Sequence, residues 1–375
     1  MAEIKTEKPT GLYVHIPFCV KKCSYCDFVS YTGCENMFDK YITAVLKEAH
    51  EYAGTHVGTV FFGGGTPTLL PPDKLSRLLY GLQECFDIKN AAELTAEANP
   101  KTLNEEKCRI MKDGGINRLS IGVQSFNDAE LRLLGRIHDS SCAKETILTA
   151  QKYFDNINVD IMTAIPGQTC TSAISSVRTA VSLGAEHLSC YSLIIEEGTE
   201  FHRLYTSGIL TEQNEDEDRD TYAGICDFLS CAGFERYEIS NFAKPGRRCL
   251  HNMKYWKAEE YIGIGAAAHS YLGGVRFSNT PDIYGYIENP CMHEQKNILT
   301  ENDKISEYNM LALRTADGIN KAEFLSRFGR SFDEMFGEKE KLFEDTGLMK
   351  KTACGCALTS RGMDVSNSIM CEFII

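Results

Sequence analysis

Short runs of β-branched and aromatic residues recur between residues 11 and 243: Leu12–Ile16, Gly58–Phe62, Glu93–Ala98, Arg118–Val123, Asn158–Thr163, His187–Leu193 and Glu235–Ile239. Bounded by turn-forming residues, such runs predict strands. Between them apolar residues return at helical spacing, as in Phe38–Tyr52, Asp73–Cys85, Cys142–Phe154 and Glu217–Cys231. In the last, Tyr222, Ile225, Cys226 and Leu229 share one face. Strands alternating with helices predict a parallel sheet with helical crossovers, either open and doubly wound or curled into a barrel. The polar residues separate the two. Cysteines follow the first strand, Gly63-Gly64-Gly65-Thr66-Pro67 follows the second, and Glu97, Gln124 and Asp160 lie at or near the ends of the next three. Five successive strand ends contributing to one place describe the rim of a barrel; an open sheet concentrates its ligand at one switch point.

The pattern changes near residue 245. Lys244-Pro-Gly-Arg-Arg248 is turn-like, glycine-rich aromatic sequence follows to residue 290, and short helical patterns dominate from Glu301. The expected organisation is a barrel domain over 1–245, a connecting segment over 246–300, and a smaller, mostly helical C-terminal domain over 301–375. Glu212–Asp220, with six carboxylates and one arginine, reads as the solvated start of a helix, where carboxylates meet the positive end of the dipole; a metal site is the alternative.

Composition narrows the classes. The net charge of −13 repels a phosphate backbone, which argues against nucleic acid as a partner. No apolar stretch is long enough to span a bilayer; Tyr261–Gly274 is broken by glycines and by His269. Sixteen cysteines spread over 375 residues, with no charged start followed by an apolar core, predict a reducing cytoplasmic setting rather than a disulfide framework. Most are expected to be small buried hydrophobes, and Cys354-Gly-Cys356 is too isolated to mark a site.

Three cysteines stand apart. Cys19, Cys23 and Cys26, in Tyr13-Val-His-Ile-Pro-Phe-Cys-Val-Lys-Lys-Cys-Ser-Tyr-Cys-Asp-Phe28, lie within eight residues at C-x3-C-x2-C spacing. Structural zinc and ordinary iron–sulfur clusters take four protein ligands. Three thiols so close suit three corners of a [4Fe–4S] cube, with the fourth iron open to a chelating small molecule; zinc with Cys34 or His15 as fourth ligand is the alternative. The spacing resembles the cluster loop of radical S-adenosylmethionine (SAM) proteins. That resemblance implies that the amino and carboxylate groups of SAM fill the open corner, and that the fold is α/β, a partial (β/α)6 TIM-type barrel.

A SAM pocket needs backbone groups for the methionine head, polar groups for the ribose and an apolar slot for adenine. Gly63-Gly64-Gly65-Thr66 lets backbone N–H groups approach a ligand, because no Cβ intervenes. Glu97 and Asp160 are carboxylates within otherwise apolar strands; an unpaired buried charge is costly, so each is expected to meet a cation or hydroxyls. Gln124 and Arg136 bracket a strand-to-helix turn, from which the arginine can pair with a carboxylate.

The run Tyr13–Phe28, with Gly63–Thr68, Glu97-Ala-Asn-Pro, Arg118–Phe126, Gly135-Arg-Ile-His138, the Asp160 strand and Tyr237-Glu-Ile-Ser-Asn-Phe-Ala243, resembles the oxygen-independent coproporphyrinogen III dehydrogenase-like group of radical SAM proteins. The resemblance covers nearly the whole chain and is nearest to the group's haem-chaperone branch. It implies that Tyr13, Gly64, Gly65, Thr66, Glu97, Gln124, Arg136 and Asp160 contact SAM. Two departures speak against the dehydrogenase itself: Phe28 stands where that enzyme has a further cysteine, and only 18 residues precede Cys19, against a long N-terminal extension in the enzyme.

Cys249-Leu-His251-Asn252-Met-Lys-Tyr255-Trp256 matches the branch's H-N-x-x-Y-W haem-binding pattern. The match implies haem contacts from His251, Asn252, Tyr255 and Trp256. His251 offers an imidazole for axial ligation, Tyr255 and Trp256 flat apolar surface for a macrocycle, and Arg247, Arg248 and Lys254 cations for propionates; His269 is a second ligand candidate. The expected cofactors are a [4Fe–4S] cluster, SAM and haem. Candidate partners are haem, haem-acceptor proteins (membrane-associated respiratory enzymes among them) and a second copy of the chain in a homodimer. The leading expectation is a haem chaperone that delivers haem to acceptors. The alternatives are a dehydrogenase that oxidatively decarboxylates porphyrinogen propionates and a radical SAM methyltransferase that opens haem.

Overall fold

A computed structural model describes residues 9–88 and 90–375. Six strands, β1 (Thr10–Ile16), β2 (Val57–Gly64), β3 (Glu93–Ala98), β4 (Arg118–Gln124), β5 (Ile157–Thr163) and β6 (His187–Ser192), lie parallel in consecutive order. Helices α1 (Phe38–His50), α2 (Pro72–Cys85), α3 (Glu105–Asp113), α4 (Asp128–Leu133), α5 (Ser140–Ala150) and α6 (Cys170–Ser182) fall between them. This is the partial (β/α)6 barrel that the radical SAM resemblance implies. On β1, Leu12, Val14 and Ile16 join one continuous core with Tyr41, Ile42 and Val45 of α1, while Tyr13 and His15 take the opposite face because strand side chains alternate.

The six strands do not close on themselves. After α7 (Glu200–Thr206) and α8 (Glu215–Cys231), β7 (Glu235–Arg236) and β8 (Asn241–Ala243) add antiparallel strands beyond β6. After α9 (Leu250–Trp256), β9 (Tyr261–Ile264) pairs parallel with β1, and β10 (His269–Leu272), β11 (Val275–Asn279) and β12 (His293–Ile298) continue the same sheet. The segment 246–300 is therefore no spacer: it supplies the barrel's other flank. The strand expected at Glu235–Ile239 is cut short. Glu238 bends the chain by accepting from Ser240 N–H at 2.9 Å and from Asn241 Nδ2. The acidic run behaves as expected, with Asn214 capping α8 and Glu215, Asp216, Glu217 and Asp218 in its first turn. From Glu301 a second core forms around Phe324, Phe332, Phe336 and Phe373, in which Phe332 meets Phe324 edge-on at 5.3 Å and stacks on Phe373 at 6.1 Å. Among the described residues no helix is long and apolar enough to cross a membrane.

The added flank is tied to the barrel by buried polar groups on α1. Tyr41 Oη donates to His15 O at 2.8 Å and accepts from Ala266 N–H at 2.9 Å. Glu48, 0% exposed, accepts from Tyr286 Oη at 2.6 Å, Asn279 Nδ2 at 2.7 Å and Gly265 N–H at 2.9 Å. Burial raises its carboxyl to about 7, against the opposing pull of those three donors. Glu48→Ala strands all three donors in a closed core, and the expected loss of stability is about 3 kcal/mol. Chemical denaturation measures it; a loss below about 1 kcal/mol would show that water replaces the carboxyl there.

Candidate cluster and cofactor site

Beyond Ile16 the chain passes through Pro17 and Phe18 into the cysteine loop. Two backbone hydrogen bonds fasten this loop to the turn after β2: Gly65 N–H to Ile16 O at 2.9 Å and Thr66 N–H to Phe18 O at 2.8 Å. The approach leaves no room for side chains. A Cβ on Gly65 would lie 2.8 Å from both the nitrogen and the oxygen of Phe18, and one on Gly64, whose φ is +104°, would lie 2.4 Å from the His15 ring. The neighbouring chain thus demands both glycines. Gly64 N–H in turn donates to Glu97 Oε2 at 3.2 Å. All three N–H groups are engaged within the protein, where the sequence had suggested that they face a ligand.

Cys19, Cys23 and Cys26 are half-buried free thiols on one loop, near enough that Cys19 feels the charge of Cys23, and Cys26 that of both others, although among the described residues no three ligating side chains are gathered into a ready metal-holding set. Cys19 Sγ lies 3.6 Å from Thr66 Oγ1, and Arg136 Nη1 donates to Cys23 Sγ at 3.4 Å. Burial raises the Cys19 thiol and pushes Cys26 up to about 11; such thiols become thiolates when a cation takes the place of the proton. Asn99, which sequence reasoning did not single out, links the parts. Its Nδ2 donates to Thr66 Oγ1 at 2.6 Å while its Oδ1 accepts from Arg136 Nη2, which also reaches Gly122 O. The available signal was its place in Glu97-Ala-Asn-Pro, two residues beyond an expected ligand contact.

Across the lumen, Asp160 Oδ1 accepts from Asn158 Nδ2 at 2.6 Å, and Gln124, at φ +73°, accepts from Tyr191 Oη at 2.8 Å. Burial and the charge of Asp160 push the Glu97 carboxyl up to about 8; burial also raises Asp160, opposed by its bonds from Ser189 and Asn158. Arg136 Nε is buried without a partner among the described residues. Three thiols, a guanidinium with a spare donor and two lumen carboxyls fit a [4Fe–4S] cluster with one open iron and a chelating amino acid beside it.

The haem motif lies elsewhere, at the strands' N-terminal ends. Glu93, the first residue of β3, accepts from Leu250 N–H at 2.9 Å and His251 N–H at 3.0 Å, and from Cys249 Sγ at 3.4 Å. This seats α9 as a plug. His251 is 0% exposed, its Nδ1 is 2.9 Å from Thr59 Oγ1, and its Nε2 is 2.8 Å from Tyr255 Oη. Its ring stacks on Phe61 at 5.4 Å. Burial, with Lys254 and Arg118 nearby, lowers its pKa to about 3. As folded, then, both ring nitrogens have partners within the protein. The cations expected for propionates are also engaged: Arg247 with Glu186, Arg248 with Asp317, and Lys254 with Glu259. Asn252 is half-buried, with its backbone N–H against the Cys249 sulfur. Tyr255 and Trp256 do not form one surface. Tyr255 lines a cavity of about 410 Å³ with Tyr13, His15, Asp27, Phe28 and His269, and Trp256 lines another, of about 430 Å³, against the C-terminal unit.

Comparison with known proteins agrees with this fold. The Radical SAM superfamily model matches residues 13–173 and the HemN C-terminal domain model residues 299–365. Proteins named heme chaperone HemW are similar along nearly the whole length. The Bacillus subtilis protein is 36% identical (96% of this chain, 98% of that one), the Lactococcus lactis protein 34% (98% of each) and the Escherichia coli protein 33% (98% of each). The solved structure of coproporphyrinogen III oxidase HemN from Escherichia coli, described as a radical SAM enzyme, superposes with a TM-score of 0.84 at 24% identity, over 97% of this chain and 90% of that one. At that identity the likeness speaks to the fold.

Two outcomes follow from the geometry. Gly65→Val forces the Phe18 backbone, immediately before Cys19, out of place. The variant is expected to lose more than half of its cluster iron on anaerobic reconstitution beside the unsubstituted protein; full iron with weakened SAM binding alone would show that the loop yields. The second concerns Glu97. With its folded value near 8 against an ordinary 4.5, the folded state keeps this proton to higher pH than the unfolded chain does. Stability therefore falls as pH rises from about 4.5 to about 8. Glu97→Gln does not ionise, and its stability advantage in the apoprotein is expected to grow by on the order of 2 kcal/mol between pH 5 and pH 8.5, discounted because the carboxyl faces a wet lumen. Denaturation at the two pH values measures it, and no growth would place an unpaired cation beside Glu97.

Proposed function

The chain belongs to the HemW family of radical SAM proteins, and from that membership we propose that it is a haem chaperone: it binds haem beside a SAM-ligated [4Fe–4S] cluster and hands haem to acceptor proteins. The observation that carries the choice over the dehydrogenase is Phe28. At the position expected to hold a further cysteine in that enzyme, this chain presents a phenyl ring that is 65% exposed and lines the cavity beside the cluster loop.

Cys19, Cys23 and Cys26 hold the cluster. Its chemistry when SAM is bound is one-electron reduction of the sulfonium. Arg136 offers its guanidinium to a carboxylate next to Cys23, the carbonyls of the Gly64–Gly65 turn face an ammonium, Glu97 and Asp160 take ribose hydroxyls, and Tyr13 and Gln124 close the lumen. In the motif, Tyr255 is the residue that reaches the haem cavity, and His251 holds the Tyr255 hydroxyl in position. Asn252 keeps α9 seated through Cys249, and Trp256 reports on the neighbouring cleft. The chaperone works in the cytoplasm, as a monomer or a homodimer, and its acceptors include membrane-associated respiratory enzymes.

The test is one anaerobic incubation of reconstituted protein with haem, SAM and reductant, and a parallel one with coproporphyrinogen III. Haem is expected to bind with a Soret band, to quench Trp256, the chain's only tryptophan, and to be recovered intact, while coproporphyrinogen comes back unchanged. Stoichiometric decarboxylation of coproporphyrinogen would transfer the assignment to the dehydrogenase, and a ring-opened product to the haem-opening methyltransferase.

A further inference from the structure

We infer that His187 and Tyr237 are positioning residues that couple the lumen to α9: what engages Asp160 is felt at the first residue of that helix through a single file of hydrogen bonds. The coupling rests on the SAM reading of the lumen and goes beyond it, because neither residue belongs to the SAM contacts or to the H-N-x-x-Y-W pattern.

The file begins on β5, where Asn158 and Asp160 share one face. Asn158 Nδ2 lies 2.6 Å from Asp160 Oδ1 and 2.7 Å from Ser120 Oγ. The amide oxygen of Asn158 lies 2.6 Å from His187 Nδ1 on β6, and also takes Ser189 Oγ at 3.2 Å. His187 Nε2 is 2.7 Å from Tyr237 Oη, and Cys249 N–H reaches that same oxygen at 3.3 Å. Cys249 is the residue that begins α9, and its thiol donates to Glu93 at 3.4 Å.

Proton accounting gives this file one direction. An ionised carboxylate only accepts, so the Asn158 group facing Asp160 is the NH2 and the amide oxygen faces the ring. That oxygen also only accepts, so His187 carries its hydrogen on Nδ1. Burial, with Arg118 nearby, holds the imidazole neutral, which leaves Nε2 as an acceptor. Tyr237 Oη therefore donates to Nε2 and turns its lone pairs to Cys249 N–H. Each assignment forces the next, and every donor points from the helix toward the lumen. Bonds aligned in this way polarise one another. Asn158, His187 and Tyr237 are all buried, so bulk water does not make good a broken link.

Tyr237 stands where three parts of the molecule meet. Its carbonyl accepts from Ala316 N–H at 2.9 Å, in the C-terminal unit, and the Arg248 guanidinium lies over its ring at 5.6 Å. Ribose hydroxyls that fix the Asp160 carboxylate fix the terminal acceptor of the file, and order in the acceptor is passed to Asn158, the ring and the tyrosine behind it. The expected consequence is a more firmly seated α9. By linkage the coupling is reciprocal, so a ligand that shifts α9 changes the affinity for SAM by the same factor.

The experiment is hydrogen–deuterium exchange, read by mass spectrometry, on full-length, anaerobically reconstituted and unreduced protein with and without saturating SAM. Calorimetry gives SAM affinity on the same samples. SAM is expected to slow exchange across 249–256 by about threefold or more and to leave the remote helix Phe332–Asp345 unchanged. Tyr237→Phe keeps the ring and removes the hydroxyl; it is expected to bind SAM within about threefold of the unsubstituted protein yet lose the slowing at α9. His187→Gln breaks the file one link nearer the lumen. Its amide keeps a partner for Tyr237 while the Nδ1 donor is withdrawn, so loss of the slowing here separates the relay from local damage at Cys249. Circular dichroism and cluster iron content establish that each variant is folded, and either variant decides the matter if the other is not. Slowing that survives in a folded variant, or that is absent from the unsubstituted protein although SAM binds, overturns the relay and leaves the SAM reading standing. If the unsubstituted protein binds no SAM, that reading fails and the relay falls with it.

Discussion

One buried carboxylate decides where the two halves of this site can be. Glu93 is 3% exposed at the start of β3 and receives the first backbone N–H groups of α9. Burying an acid is costly unless donors surround it, and a helix N-terminus supplies both donors and a favourable dipole. Arg118, 2% exposed at the start of the next strand, brings a cation to the same floor, whose charge and that of Glu93 attract. α9 is therefore fixed across the lower end of the barrel, and the upper end is left to the cysteines.

This seating turns the H-N-x-x-Y-W pattern inside out. Helical spacing puts His251 and Tyr255 on one face, four residues apart, and because the Glu93 contact points that face into the barrel, the imidazole is sealed between Thr59, Phe61 and Tyr255. The tyrosine, one turn later, reaches past it to the side cavity. The same helix sends Trp256 the opposite way, under the Arg314 guanidinium at 4.6 Å from its ring. A motif of four polar and aromatic residues thus serves two clefts and a plug, and its histidine is the member furthest from solvent.

The frame of the fold was legible because its signal is local. Each barrel strand is an apolar run bounded by turn residues, and the residues just past strand ends carried the chemistry, so cysteines, glycines, Glu97 and Asp160 could be placed on one rim before any coordinates. What escaped was whatever depends on who the neighbour is. The glycine turn looked like a ligand cradle, yet its N–H groups go to Ile16 O, Phe18 O and Glu97, partners that only the β1–β2 register brings near. The burial of His251 escaped because nothing in its flanking residues says that Glu93, more than 150 positions away, will seat its helix. Glycine-rich 246–300 looked like a connector, since β9 pairs with β1 through only four register positions, while its Gly263 and Gly265 serve close approach of backbones. Asn99 had no periodicity to mark it; its role is a matter of two side chains from other strands converging on one amide.

The placement of an open cavity against a sealed helix has a kinetic consequence for any protein that must give its cargo away. A site closed by a packed helix binds slowly and releases slowly, because the plug has to move each way. An open aromatic cavity needs no such opening. A carrier benefits from modest affinity with fast release, whereas an enzyme that holds a substrate for radical chemistry benefits from closure against water. In this chain the floor of the barrel is closed by α9 and the side cavity beside the cluster loop is open. That asymmetry leaves the flank open to exchange while the lumen is closed from below.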